Sequence, residues 1–233
     1  MFWMKSVFAP LLLITCLLSS SLSAEETRWY KVELIAFAQN SENFRASEQW
    51  SVDHGLPSEH RSEELRSVGS QRDDWPAPFA RLSNEDLELR AEAQRIERDG
   101  ALTLLLHQGW YQPGLPAEQA RGVRIRAVDN ELDGSYEPAR LEGVISVSLA
   151  RYLHVNADLI YRERRRDYDG KQTAQRHTMA DLFELGEDGP LLMPLDKWQV
   201  YRMQESRRMR SDELHYLDHP LFGLLVRITR HGH

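Results

Sequence analysis

The stretch that decides the fold is residues 141–161, LEGVISVSLARYLHVNADLIY, in which apolar and polar side chains alternate more regularly than anywhere else in the chain. The odd-numbered positions carry apolar or small residues, broken only by Arg151, while polar residues such as Ser146, His154 and Asp158 hold even positions. A period of two is typical of a β-strand with one buried face. At ~3.3 Å per residue a single strand of this length would reach on the order of 70 Å, well beyond the usual range. We therefore expect a bend near Arg151, or one long strand shared between two sheets.

Further strands flank this segment on both sides. Residues 28–38, RWYKVELIAFA, carry apolar side chains on both faces towards their end, which predicts an innermost strand that is covered on both sides. Apolar or alternating runs predict four more strands, at residues 101–111, 122–128, 197–210 and 221–230. The chain is therefore expected to be dominated by strands that are joined through turns.

One helix is expected before the strand at residues 101–111. Ser83 and Asp86 fit a capping box, and Leu82 and Leu87 stand at the two positions of a hydrophobic staple. A modest apolar stripe follows, and Gly100 provides a stop signal. We expect the helix to start directly after Ser83.

Residues 40–81 show little periodicity and are rich in Ser, Glu, Arg and Pro. They predict a long irregular excursion with at most a short helix around residues 58–68, held down by the isolated aromatic residues Trp50, Trp75 and Phe79. Strands in succession with one inserted helix predict an α+β fold whose sheets are largely antiparallel.

Residues 1–24 have the pattern of a secretory signal peptide, with Lys5 ahead of an apolar core and a tail of small residues. Cleavage after Ala24 would leave residues 25–233 as a single domain of about 210 residues in the periplasm. It would also remove Cys16, the only cysteine of the chain. The mature protein would then have no disulfide, no thiol nucleophile and no thiolate metal site.

The charge balance of the mature chain disfavours a nucleic-acid partner. Without the leader the sequence holds 28 basic and 36 acidic side chains, a net charge of −8. Proteins that bind nucleic acids normally have the opposite sign. No later apolar run approaches the length that a membrane-spanning helix needs.

The densest polar cluster is RRMRSDELHYLDHP, which starts at Arg207. Arg207, Arg208 and Arg210 can present guanidinium forks to carboxylates, and Tyr216 and Trp110 can offer rings to the apolar faces of sugars. Peptidoglycan, a polymer of the periplasm, carries both kinds of group. These five residues are therefore the predicted ligand-binding site, although the acids of the same stretch could instead pair with its arginines and close the sheet.

The end of this stretch predicts a structural turn formed by Asp218, His219 and Pro220. His215 and His219 resemble metal ligands only superficially. Pro220 disfavours a helix here, and in a strand the two rings would lie more than about 10 Å apart. No nucleophile elbow, P-loop or dinucleotide-binding glycine pattern is present. We predict no catalytic residues, no metal and no cofactor.

Four segments resemble the CsiV family of periplasmic peptidoglycan-binding proteins. They are Trp29–Phe37, Leu106–Trp110, Leu141–Asp158 and, above all, Arg207–Gly223, and they occur in the family's order along the mature chain. The resemblance implies a non-enzymatic factor that binds peptidoglycan and supports cell-wall synthesis. It further implies that the factor works with an outer-membrane lipoprotein activator of a bifunctional penicillin-binding protein. No residue-level ligand contacts are implied by the resemblance.

Two alternatives from other functional classes stay open at this point. A periplasmic adaptor that contacts only proteins would use the same compartment and the same composition. A metal-dependent hydrolase would be centred on His215, Asp218 and His219.

Overall fold

A computed structural model of the protein describes residues 27–40, 55, 57–58, 60–67, 77–128, 140–164 and 198–232. These residues form nine strands and one helix. In chain order the elements are β1 (Trp29–Gln39), β2 (Ser62–Glu63), α1 (Arg90–Arg98), β3 (Leu102–Pro113), β4 (Gly122–Ala127), β5 (Leu141–Leu149), β6 (Leu153–Arg164), β7 (Trp198–Met209), β8 (Leu214–His219) and β9 (Phe222–His231).

The strands form two sheets, with the order β3-β1-β9-β8 in one and β2-β4-β5-β6-β7 in the other. Every pairing is antiparallel except that of the short β2 with β4, which is parallel. The described chain is therefore a mostly-β member of the α+β class, as its strand pattern predicts. The expected strands at β1, β3, β4, β7 and β9 are confirmed to within a few residues.

Strand β1 lies in the middle of the molecule because both of its faces are apolar. Val32 and Leu34 face the five-stranded sheet and belong to the core between the two sheets. Ile35 and Phe37 face the other way and pack with Ile96 of α1 in a second apolar cluster. The order of layers is helix, four-stranded sheet, five-stranded sheet, and the prediction of an innermost strand covered on both sides is confirmed.

The long alternating stretch is a hairpin and not one bent or shared strand. The chain reverses through Ala150, Arg151 and Tyr152, so that Leu149 pairs with Leu153 and β5 and β6 are neighbours in one sheet. With three residues in the loop, odd positions pair with odd positions, and their side chains stay on one face through the reversal. The continuous period of two along the sequence follows from this register.

Helix α1 starts later than the sequence predicts. Ser83 and Asp86 do contact each other, since the Ser83 hydroxyl donates to the Asp86 carboxylate at 2.6 Å and the Asp86 N–H donates to the Ser83 carbonyl at 3.1 Å. This contact closes a turn that precedes the helix, and the helix itself begins at Arg90. The predicted capping box is therefore wrong as a helix cap.

A carboxylate from β1 binds the two backbone N–H groups that directly precede α1. Glu33, 2% exposed, accepts hydrogen bonds from the backbone N–H of Glu88 at 2.9 Å and of Leu89 at 2.8 Å, and its Oε1 lies 2.8 Å from Nε2 of His107. Burial alone would raise the pKa of Glu33, but the hydrogen bonds from His107 and from the two N–H groups together lower the pKa below its ordinary value. A residue more than fifty positions away in sequence thus fixes the start of the helix.

Two segments that the sequence does not predict as strands form β8 and β2. Residues 214–219 form β8, which pairs with β9; of the predicted structural turn, Asp218 and His219 end this strand and the chain turns at Pro220. In the described part of the predicted short helix at 58–68, Ser62 and Glu63 form β2 and Arg66 bridges to Ala80. Pairing of β2 with the chain-distant β4 supplies the hydrogen bonds that a local helix would otherwise have made, whereas β8 pairs with the strand that directly follows it.

Several predicted features lie outside the described residues. They are the signal peptide at residues 1–24, the anchoring Trp50 and Trp75, and most of the segment between β6 and β7. Phe79 is described and is 8% exposed, within the main core. No helix among the described residues has the length and apolar character needed to cross a membrane.

Candidate functional site

The three arginines of the predicted site point in three directions. Neighbouring residues of a strand face opposite sides of the sheet, so Arg207 and Arg208 of β7 lie on different faces. Arg210 follows the end of the strand, where its Nη1 is 3.6 Å from Oε1 of Glu213 at an exposed turn. The structure therefore does not bring the three guanidinium groups together at one site.

Arg207 joins the two sheets. Its side chain leaves the inner face of β7, and Nη1 donates a hydrogen bond to the backbone carbonyl of Tyr216 on β8. Strands β7 and β8 are edge strands of different sheets among the described residues. Arg207 thus satisfies a backbone carbonyl that would otherwise need a hydrogen bond from solvent. We therefore assign Arg207 a structural role.

Arg208 lies on the outer face of the five-stranded sheet, beside the β5–β6 hairpin tip. Its guanidinium carbon is 4.7 Å from the centroid of the Tyr152 ring, and that of Arg151 is 5.6 Å from the same centroid. The Tyr152 side chain is 37% exposed. Neither guanidinium has a carboxylate partner among the described residues. The hairpin tip therefore presents a partly exposed aromatic ring beside two cations that are available to an anion.

A polar groove continues from this corner along the same face. It has a volume of about 550 Å³, and its wall includes the uncharged polar side chains of Ser146, Asn156, Gln204 and Ser206. Register places Ser146, Asn156 and Ser206 side by side across β5, β6 and β7. Hydroxyl and amide groups both donate and accept hydrogen bonds, which is what the hydroxyl and acetamido groups of a sugar require. We call this groove together with Arg151, Tyr152 and Arg208 the outer-face site.

Of the two acids that line the groove, Asp158 and Glu205, Asp158 has its oxygens occupied. Asp158 forms a bidentate pair with Arg202, whose Nε and Nη2 each lie 2.8 Å from a carboxylate oxygen. The hydrogen bond with Asp158 raises the pKa of Arg202 further above its ordinary value, against a smaller opposing effect of burial. Asp158 is therefore held by Arg202 and does not offer a free carboxylate for acid or base chemistry.

Comparison with known families supplies the decisive observation. A family model described as "Peptidoglycan-binding protein, CsiV" matches residues 6–231, nearly the whole chain. The chain belongs to the CsiV family. The resemblance seen in four sequence segments is thereby confirmed over the full match. No curated protein and no solved structure matches the chain.

Trp110 is not part of any surface of this CsiV-family protein. It is 0% exposed, and its Nε1 donates to Oε1 of Gln112 at 2.9 Å inside the core. A ring in this position cannot stack on a sugar at the surface, so the expectation that Trp110 contacts ligand is corrected. The sequence of β3 does not show which of its two faces is buried. The five-stranded sheet packs on the face that carries Trp110, and this packing buries the ring.

Tyr216 lies on the helix side of the four-stranded sheet, remote from the groove. Its ring stacks with Phe37 at 6.0 Å and covers Gly223, where an added Cβ would come within 2.6 Å of the ring. The hydroxyl donates to Asp218 Oδ1 at 2.5 Å. Burial, then the hydrogen bond and the charge of Asp218, raise the pKa of Tyr216 far above its ordinary value. The side chain is 38% exposed, so it is available to a partner on this side.

The residues of the metal alternative do not assemble. His215 and His219 face the interior from β8, whereas Asp218 faces the opposite side of the strand. His219 Nδ1 accepts the backbone N–H of Leu221 at 3.2 Å, across the turn that starts at Pro220. Within the described residues no three His, Cys, Asp or Glu side chains form a group that could hold a metal ion.

Sequence reasoning missed Arg151 and Tyr152 as candidate residues. Arg151 is the one break in the period of the 141–161 stretch, and Tyr152 directly follows it. Such a break marks a hairpin tip, and loops at the ends of sheets are where binding residues concentrate. This signal was available in the sequence.

Proposed function

We propose that this protein is a non-enzymatic, periplasmic peptidoglycan-binding factor that holds its polymer on the outer-face site. The glycan would lie in the polar groove, and a carboxylate of the stem peptide would bind Arg151 and Arg208. The observation that carries the proposal is the continuity of the two parts, since Ser206 and Arg208 lie two residues apart on the same face of β7. Membership of a peptidoglycan-binding family supports the class of ligand.

The electrostatics of the corner support an anionic ligand group. Arginine forms bidentate hydrogen bonds with carboxylates, and a tyrosine ring beside it can hold the apolar part of a peptide or sugar. On a chain with a formal net charge of −7, a local pair of cations draws an anion to one place. Because the site is open, its affinity should fall with rising ionic strength.

The partners proposed for the bound state come from the resemblance of the sequence alone. In that proposal the protein assists an outer-membrane lipoprotein activator of a bifunctional penicillin-binding protein. A wall-bound factor could report the presence of polymer to such a complex. The leader at residues 1–24 supports a location outside the cytoplasm, because its sequence has the pattern of a secretory signal.

Co-sedimentation with purified sacculi tests the binding site. A triple variant, Arg151→Ala, Tyr152→Ala and Arg208→Ala, should bind at least about tenfold more weakly than wild type, because it removes two charge-assisted contacts and a ring. The matched control is Arg90→Ala, Arg95→Ala and Arg98→Ala, which removes three arginines from α1 on the opposite side and should leave binding within about twofold. Equal sedimentation of the site variant and wild type, with both folded by circular dichroism, would rule out this site.

A second candidate function, a protein adaptor, is favoured by the apolar surface on the other side of the molecule. Leu214 and Tyr216 of β8 are 45% and 38% exposed, although large apolar side chains are mostly buried elsewhere in the described chain. An adaptor would form a complex with a lipoprotein through these residues and would not sediment with sacculi. Loss of the complex in Leu214→Ser with unchanged sacculus binding would show that both surfaces are used.

A further inference from the structure

Strand β3 carries two glutamines on the face that packs against the other sheet, and only one of their side-chain NH₂ groups has a hydrogen-bond partner among the described residues. Gln112 is fully engaged, since its Nε2 donates to the Val147 carbonyl at 3.1 Å and its Oε1 accepts from Trp110. Gln108 is 6% exposed, yet its Nε2 has no hydrogen-bond partner among the described residues. Buried amide donors are almost always paired in folded proteins, because an unpaired one costs folding free energy. The Gln108 amide therefore indicates a ligand position.

The Gln108 residue lines a cavity of about 320 Å³ at the edge of the sandwich, together with residues of β4 and β5. Leu65 and Ile125 contribute apolar wall, and Arg81, Arg124 and Arg126 also line the cavity. Gln108 and Ile125 are buried, so they lie at the floor, whereas Arg124 and Arg126 alternate with Ile125 along β4 and lie at the exposed rim with Arg81. The volume is at the lower end of the range for small-molecule sites.

The charges around this cavity favour an anion. Neither Arg81 nor Arg126 has a carboxylate partner among the described residues. Of the two acids in the lining, Glu142 is bound to Arg162 at 2.5 Å, and Glu64 is 78% exposed at 3.7 Å from Arg124. The acids are thus engaged or turned to solvent, while two guanidinium forks remain available above a neutral N–H donor.

We propose that this cavity is a binding site for a small organic carboxylate. One carboxylate oxygen would accept from Gln108 Nε2, the carboxylate would pair with Arg81 or Arg126, and a short apolar body would rest on Leu65 and Ile125. The planar fork of arginine matches a carboxylate in a bidentate manner, and the apolar wall disfavours a bare inorganic anion. The site is separate from the outer-face site, and it does not depend on peptidoglycan binding there.

Two sources would supply such a group, a free organic acid and the carboxyl terminus of a short peptide. The test is a titration followed through the side-chain amide resonances of Gln108 in ¹⁵N-labelled protein, with three probes. They are N-acetylalanine, its carboxamide analogue N-acetylalaninamide, and an N-acetylated tetrapeptide that ends in alanine with a free carboxylate. Tighter binding of the tetrapeptide would identify a peptide terminus, and equal binding would identify a small acid.

We expect N-acetylalanine to shift the Gln108 amide resonances saturably, and the carboxamide analogue to bind at least about tenfold more weakly. Gln108→Met keeps the length of the side chain and removes its donor, and it should weaken binding at least about fivefold, as followed by calorimetry. The double variant Arg81→Gln, Arg126→Gln should do the same, whereas Arg121→Gln, which removes an arginine paired with Glu63 outside the cavity, should not.

Three results would overturn the proposal. The carboxamide analogue could bind as well as the acid, or Gln108→Met could keep full affinity, or no probe could bind at tens of millimolar, which would leave ordered water as the partner of the amide. Inorganic phosphate that shifts the amide resonances while N-acetylalanine does not would contradict the choice of a carboxylate. Sacculus binding by the Arg81 and Arg126 variants should equal wild type, so failure here is distinguishable from failure of the outer-face site.

Discussion

The two outer layers of this molecule use the same kinds of residue in opposite ways. Under α1, the charged side chains are paired within the protein: Glu33 with His107 and two N–H groups that precede the helix, and Glu88 with Lys31 and with Arg227 at 3.2 Å. On the outer face of the five-stranded sheet, Arg151 and Arg208 both lie beside the Tyr152 ring, and neither has a carboxylate partner among the described residues. We refer to these as the closed face and the open face.

The difference shows how a structural charge can be told from an available one in a binding protein. A buried carboxylate with three donors, as on the closed face, is part of the folding machinery. A guanidinium that touches only a ring keeps most of its hydrogen-bonding capacity for a ligand. If this distinction is right, substitutions on the closed face should change stability, and those on the open face should change binding.

The largest expected effect on the closed face is that of Glu33→Ala. The substitution leaves His107 and the N–H groups of Glu88 and Leu89 without an acceptor in a dry site, so the free energy of unfolding should fall by about 3 kcal/mol. Urea denaturation of the variant and of wild type measures this difference in the free energy of unfolding. Glu92→Ala is the control; this half-buried acid of α1 lies 3.6 Å from the exposed Arg95, and its loss should cost less than about 0.5 kcal/mol. A loss under about 1 kcal/mol for Glu33→Ala would mean that the closed face is not organised around this carboxylate.

The two glutamines of β3 extend the same comparison into the core. Gln112→Met should lower the free energy of unfolding by about 2 kcal/mol, because Trp110 and the Val147 carbonyl lose their partner in a buried site. Gln108→Met removes a donor that has no described partner and should leave stability unchanged or raise it by up to about 1 kcal/mol. Thermal or urea unfolding of the two variants measures both changes. A larger loss of unfolding free energy for Gln108→Met than for Gln112→Met would contradict the conclusion that the Gln108 amide is unpaired.

Acid should weaken the closed face selectively. Because the pKa of Glu33 is lowered in the folded protein, the unfolded chain binds more protons between that pKa and the ordinary value of 4.5. This stabilisation is fully present above pH 4.5 and is lost as the pH falls through the folded pKa, by about 1.4 kcal/mol for each unit by which the pKa is lowered. Urea titrations at several pH values should show a steeper loss for wild type than for Glu33→Gln, and parallel curves would contradict the linkage.

The smallest stability effects separate the two adjacent arginines of β7. Arg207→Ala should lower the free energy of unfolding by about 1 kcal/mol, through the lost bond to the Tyr216 carbonyl, and should not change sacculus binding by folded protein. Arg208→Ala should change stability by less than about 0.5 kcal/mol and should weaken binding. If Arg207→Ala weakened sacculus binding and Arg208→Ala lowered stability, the roles that we assign to the two residues would be wrong.

The fold was accessible from the sequence wherever a local period records burial. The alternation in residues 141–161 and the doubly apolar β1 predicted strands and their depth, because side-chain burial on a sheet leaves a period of two or a continuous run. The start of α1 was not accessible. It depends on Glu33, which reaches the helix only after β1 and β3 are paired, and nothing near residue 90 in sequence records that contact.

The candidate site was accessible only in part, for a related reason. The polar density after Arg207 was visible, but β8 was hidden because only Leu217 of its six residues is fully buried. Once β8 is a strand, the residues of this stretch separate onto different faces, and Arg208 alone remains with the groove. The reversal at Ala150 to Tyr152 lacks Gly, Pro, Asn and Asp, and therefore gave no ordinary turn signal.

The central claim is that the open face holds the wall polymer, and chemical-shift mapping tests it most directly. Isotope-labelled protein titrated with soluble disaccharide-peptide fragments of peptidoglycan should show saturable shifts at Ser146, Tyr152, Asn156, Ser206 and Arg208. Residues of α1 and the β8 surface around Leu214 should not respond. Shifts confined to β8 and α1, with the five-stranded sheet unchanged, would contradict the account.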